Sequence, residues 1–97
     1  MLHIVLLQPK PGATEEQFGD LWREIGHMAG RIPGIVSVAF GPNRSVENLE
    51  QGYTQGFTVR FTDRAARDSY LPHPDHLAVV PFVRAVADRV LVFDLEG

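Results

Sequence analysis

Leu2-His3-Ile4-Val5-Leu6-Leu7-Gln8 is the run whose reading decides how this chain folds. It is rich in leucine and β-branched residues, and Pro9 with the Pro11-Gly12 turn ends it, so it reads as a strand. Successive strand residues point to opposite faces. Ile4 and Leu6 therefore share one face, and His3, Val5 and Leu7 share the other. A strand apolar on both faces has to be covered on both. Near the other end, Val90-Leu91-Val92-Phe93-Asp94-Leu95 repeats the pattern, with Asp94 as its one polar residue.

Between these two strands the punctuation is regular. Thr14-Glu15-Glu16-Gln17 forms a capping box, in which Thr14 and Gln17 satisfy each other's backbone donors. Phe18, Leu21, Trp22, Ile25, Met28, Ala29 and Ile32 follow at helical spacing, so a first helix is expected over 15–31, ending at Ile32-Pro33-Gly34. His27 falls opposite that stripe and should face solvent. Ile35 to Phe40 reads as a second strand closed by Gly41-Pro42-Asn43. A polar connection from Arg44 to Gly52 follows, with one helical turn expected near Val46–Leu49. The third strand covers Tyr53 to Thr62, with Phe57, Val59 and Phe61 on one face. Gly56 within it marks a bulge or a close backbone approach. Asp63 caps a short helix through Tyr70. A further helix opens at Pro74, carries Val79, Phe82, Val83 and Val86, and should be kinked by Pro81.

Strand, helix, strand, strand, helix pair, strand is the order of a ferredoxin-like α+β sandwich (βαββααβ). One antiparallel four-stranded sheet carries its helices on one face. A chain of 97 residues forms it as a single domain spanning 1–97. The helices cover only one face, yet the first and last strands are apolar on both. The expected cover is a second copy, sheet against sheet, about a two-fold axis. The expected partner is therefore the chain itself, in a homodimer.

Charge and composition exclude several classes. Nine Lys and Arg against 12 Asp and Glu give a net charge of −3 with no basic run, which argues against nucleic acid. No apolar run approaches membrane-spanning length, so no membrane partner is expected. The N-terminal run lacks a basic lead and a small-residue cleavage site, which suits a core strand better than a signal peptide. The absence of cysteine removes disulfides and thiol chemistry and fits a reducing compartment, the cytoplasm.

Chemistry concentrates in Tyr70-Leu71-Pro72-His73-Pro74-Asp75-His76. Pro72 ends one helix and Pro74 suits the first turn of the next, which places His73 near an N-cap and Asp75 and His76 in the first turn. The helix dipole there favours a neutral imidazole, whereas Asp75 favours a charged one. A neutral imidazole beside a phenol is a proton-handling pair; Pro and Asp at a helix start are equally what capping alone requires. His73, Asp75 and His76 have the composition of a metal cluster. Pro74 fixes the backbone between them, and a catalytic zinc wants three ligands aimed at one point, so no metal and no cofactor is expected. Ser37, Ser45 and Ser69 lack the context of a nucleophile elbow.

His3-Ile4-Val5-Leu6, Gly41-Pro42-Asn43, Gln51-Gly52-Tyr53-Thr54, His73-Pro74-Asp75-His76 and Val90-Leu91-Val92-Phe93-Asp94 occur in this order over nearly the whole chain. Together they resemble the stress-responsive A/B barrel domain family of dimeric α+β barrel proteins. The resemblance implies a ferredoxin-like protomer whose sheet pairs into a barrel in a dimer. One branch of that family comprises olivetolic acid cyclase-like polyketide cyclases, which close poly-β-ketide chains by aldol condensation. On that likeness the catalytic pair is His76 as base and Tyr70 as hydrogen-bond donor to the enolate oxygen. The expected ligand-binding residues are His3, Trp22, Ile25, Phe57, Val59 and His73; Trp22, Ile25 and Gln55 depart from the cyclase pattern.

Three function classes follow. The first is a dimeric domain binding a small apolar or aromatic carbonyl ligand between sheet and helices near Tyr70 and His76. The second is a polyketide cyclase-like lyase. The third is a non-catalytic assembly protein, favoured if Trp22, Phe57 and Phe82 fill the cavity. Haem-degrading monooxygenases share the barrel, but no local motif of theirs is present.

Overall fold

The computed structural model describes residues 1–97. Its elements are β1 (Leu2–Pro9), α1 (Glu15–Met28), β2 (Ile35–Pro42), β3 (Gln55–Phe61), α2 (Arg64–Tyr70), α3 (Pro74–Leu77), α4 (Val80–Val86) and β4 (Ala87–Leu95). The strands lie in the order β2-β3-β1-β4, and every neighbouring pair is antiparallel. This is the ferredoxin-like α+β sandwich that the element order predicts. No helix is long and apolar enough to cross a membrane.

β1 is a central strand and divides its residues as its alternation requires. His3, Val5 and Leu7 are buried, and in register with them stand Val59 and Phe57 of β3 and Asp94, Val92 and Val90 of β4. Leu21, Ile25 and Met28 of α1 and Val86 of α4 complete the core on that face. The other face carries Leu2, Ile4 and Leu6 beside Leu91, Phe93 and Leu95. Those three β4 residues are exposed, Phe93 to 57 %. The apolar second face inferred from the alternation is therefore real and uncovered in the protomer.

Local chemistry sets most of the boundaries. The capping box forms, with Gln17 N–H donating to Thr14 Oγ1 at 3.1 Å and Thr14 N–H to Gln17 Oε1 at 2.9 Å. Asp63 caps α2 through Ala66 N–H at 2.8 Å. Helix α1 stops at Met28, three residues before the expected end. Gly30 is a poor helix residue and Pro33 disfavours helical angles at Ile32, so the final turn is irregular. β2 runs on to Pro42, because an edge strand tolerates a missing N–H.

Two further expectations are corrected. No helical turn forms near Val46–Leu49. Asn43 Oδ1 accepts from Ser45 N–H and Ser45 Oγ from Glu47 N–H, while Asn48 adopts a left-handed φ of 58°. Side chains have taken the donors that a helix would need. The last helix is two helices, broken at Ala78–Val79, and Pro81 sits in the first turn of α4 rather than at an interior kink. Its missing N–H costs nothing there, since first-turn donors are unpaired in any helix. Of the two readings of Gly56, the close backbone approach holds: a Cβ there would lie 3.1 Å from the Val5 carbonyl oxygen and 3.0 Å from Leu6 Cδ2. The bulges fall between Ile35 and Ser37 and between Gln8 and Pro9.

Gly34 is required twice over, by φ of +89° and by a hypothetical Cβ only 2.5 Å from Ala66 Cβ. Gly19, on the exposed side of α1, has nothing within 4 Å. In urea denaturation, Gly19→Ala should raise stability by about 0.5–1 kcal/mol. Gly34→Ala should lower it by at least about 1–2 kcal/mol. Equal effects from the two substitutions would contradict this packing.

Candidate functional site

A cleft of about 300 Å³ opens between the helix-facing side of the sheet and α2, α3 and α4. β1 contributes His3 and Val5, β3 contributes Phe57, and β4 contributes Val90 and Val92. The helical wall carries Tyr70 and Leu71, His76, and Val80, Val83 and Arg84. β4 is an edge strand, so the cleft is open along that side.

Tyr70 ends α2 and is only 1 % exposed. Its ring meets Phe61 edge-on at 4.9 Å, His3 edge-on at 5.6 Å and His76 at 4.1 Å with a tilt of 35°. Burial pushes its phenol well above the usual value of 10, so the hydroxyl keeps its proton at neutral pH.

His76 is fixed by the main chain. Its Nδ1 lies 2.9 Å from the Leu71 carbonyl oxygen, which only accepts, so Nδ1 carries the proton and Nε2 is left free. Burial lowers the imidazole below 6.5; the hydrogen bond to Leu71 opposes that shift, and the charges of His3 and His73 reinforce it. At neutral pH His76 is therefore an unprotonated base beside a protonated phenol.

His3 is the one buried polar residue of the core, 5 % exposed. Its Nδ1 lies 2.6 Å from Asp94 Oδ1, and Arg67 Nη1 donates to the other oxygen of the same carboxylate. Burial alone would raise Asp94, but the hydrogen bond and charge of His3, with those of Arg67, hold it below the ordinary carboxylate value. An ionised carboxylate accepts only, so it fixes the proton of His3 on Nδ1 and leaves Nε2 as the unbound nitrogen.

Of the eight residues expected at the site, the structure brings His3, Phe57, Tyr70 and His76 to the cleft. The other four lie outside it. Ile25 and Val59 are 0 % exposed and serve the core. Trp22 stacks on Phe40 at 5.2 Å and 11°. α1 packs against α4 and β2, its apolar stripe is buried in the core, and none of its residues lines the cleft. His73 caps α3, its Nδ1 accepting from Asp75 N–H at 3.0 Å. Phe82 and Trp22 are packed against the core and leave the cleft unfilled. No cluster of three potential metal ligands occurs.

Asp94, Arg67 and Arg84 were not anticipated at the site. Asp94 was visible as the single acid of the last strand, but only the strand register sets it against His3. Arg67 and Arg84 gave no signal beyond their helical positions. A second hollow, of about 760 Å³, lies on the opposite side under residues 43–55, near Leu6 and Leu91. It is wider and brings no imidazole together with the phenol, so the cleft is the better candidate.

A family model described as the stress responsive A/B barrel domain matches residues 1–96. The chain is 30 % identical to the stress-response A/B barrel domain-containing protein HS1 of Arabidopsis thaliana, over 97 % of this chain and 86 % of that protein. It is 27 % identical to olivetolic acid cyclase of Cannabis sativa, over 95 % of this chain and 91 % of that enzyme. A solved structure from Jannaschia sp., described as a dimeric ferredoxin-like protein of unknown function, superposes with a TM-score of 0.88 at 32 % identity. That match covers 99 % of this chain and 97 % of the other.

The lowered imidazole has a measurable consequence. In an NMR titration, the His76 ring should show the Nδ1–H tautomer and a midpoint below 6.5. Because folding favours the neutral ring, its contribution to stability is complete above 6.5 and is lost as pH falls through the folded midpoint. A midpoint at or above 6.5 would contradict the burial argument.

Proposed function

The chain belongs to the stress-responsive A/B barrel domain family, and from that premise we propose that it is a homodimeric domain that binds a small apolar or aromatic carbonyl compound in the cleft at Tyr70 and His76. The observation that carries this reading is the convergence of three proton-handling side chains in one largely apolar cleft. Apolar walls with a few converging polar groups are the usual composition of a ligand site. The dimer reading draws support from the exposed Leu91, Phe93 and Leu95 and from the Jannaschia relative, described as dimeric. We propose a cytoplasmic location, with which a chain free of cysteine is compatible.

A second reading is favoured by the protonation states. With His76 unprotonated and Tyr70 protonated, the pair is set for proton removal α to a carbonyl. His76 Nε2 takes the proton, and the Tyr70 hydroxyl donates to the oxygen of the enolate. The enolate carbon attacks a second carbonyl of the same chain, closing the ring, and the proton returns to the new alkoxide. This is the cyclase-like reading, in which Tyr70 and His76 are catalytic. The open cleft speaks against a purely structural assembly protein, which needs no such cavity.

Thermal-shift screening with aromatic and short-chain carbonyl compounds tests the binding reading. A true ligand at roughly tenfold above its Kd adds about 1.4 kcal/mol, which a domain of this size shows as several degrees in Tm. The expected result is a set of compounds that stabilise the wild type and lose most of that effect on His76→Ala. No stabilising compound, or equal stabilisation of both proteins, would overturn the reading.

A further inference from the structure

Arg84 is the only formally charged residue among those that line the cleft, and no Asp or Glu accompanies it. It has no ion pair within the chain, whereas Arg67 is held by Asp94 and Asp68, and Arg64 by Glu96. On α4 it stands four residues after Val80, so the two share one side of the helix. That side is the cleft wall, which otherwise presents valines. Arg84, itself exposed, therefore lies on the wall of an apolar slot that also holds Tyr70, His76 and His3.

An exposed cation flanking an apolar wall is placed to pair with an anion at one end of an apolar ligand. The planar fork of arginine matches a carboxylate in two parallel hydrogen bonds. From this geometry we infer that Arg84 is the anchor for a carboxylate, and that the natural ligand is an amphipathic acid. Its apolar body lies along Val80, Val83 and Val92, and its carbonyl end reaches Tyr70 and His76. At the ~30 Å³ that one water occupies in the liquid, a slot of about 300 Å³ has room for about ten non-hydrogen atoms. That is the size of a phenyl or short alkyl acid. This assignment rests on the cleft being the binding site, as proposed above.

An alternative role for Arg84 is purely helical, since a cation in the last turn of α4 complements the helix dipole. Phenylacetate and phenylacetamide separate the two, because they match in shape and differ in charge. Both are titrated against the wild type, Arg84→Gln and, as a charge-matched control, Arg31→Gln, with backbone amide NMR shifts as the readout. Arg31 is exposed in the turn after α1 and is not among the residues that line the cleft. The expected result is about tenfold tighter binding of the acid than of the amide to the wild type and to Arg31→Gln. On Arg84→Gln that preference should vanish while the amide affinity stays put. Equal affinity of acid and amide for the wild type, with cleft amides shifting for both, overturns the anchor and leaves the cleft reading standing. If neither compound shifts a cleft amide, the cleft reading fails, and the anchor with it.

Discussion

A central strand that must be apolar above and below, yet carries one imidazole, is the constraint on which the rest of this structure depends. β1 has a hydrogen-bonded neighbour on each side, so its inward row packs against helices and its outward row against whatever covers the sheet. In the inward row His3 is followed by Val5 and Leu7. A buried imidazole without a partner is costly, and Asp94 supplies one from the adjacent strand, in register. A slip of one residue would turn Val5 and Leu7 outward and set His3 against Phe93 or Leu95. Register, core and the floor of the cleft are thus specified by the same few residues.

The cleft then sorts its groups by environment. Tyr70 is enclosed by Phe61 and two imidazoles, which keeps the phenol protonated. His76 lies over the same ring but gives its Nδ1 proton to a backbone carbonyl, and burial keeps its other nitrogen bare. Two prolines within three residues create the corner that brings these rings together. Pro72 follows the end of α2, and Pro74 opens α3. The chemistry is therefore a product of where the chain is forbidden to remain helical.

Features fixed by near neighbours in sequence were legible beforehand. The capping box at Thr14, the Asp63 cap, the His73 cap and the two-faced strands all follow from spacing alone. Features fixed by distant packing were not. Pro81 could either kink a helix or begin one, and spacing does not say which; it lies in the first turn of α4. Ile25 and Trp22 lie on the apolar stripe of α1, and nothing in the spacing says whether that stripe meets a core or a cavity. His73 belongs to the same motif as His76 and was expected to bind ligand, yet its ring turns back to its own helix. Asp94 stood out as an acid in an apolar strand, but its partner lies 91 residues away. Arg84 looked like any helical surface cation until the valines beside it were seen to form a wall.

The uncovered sheet face links the protomer to its proposed assembly. Leu91, Phe93 and Leu95 form an exposed row beside the half-buried Leu2, Ile4 and Leu6, an apolar patch of the kind that marks an interaction surface. A second copy related by a two-fold axis would bury both rows at once and turn two open sheets into one barrel. Sedimentation equilibrium at micromolar concentration tests this most directly. The account predicts a mass twice the 10.8 kDa of the chain. A species of 10.8 kDa under those conditions, with its sheet face open to water, would contradict it.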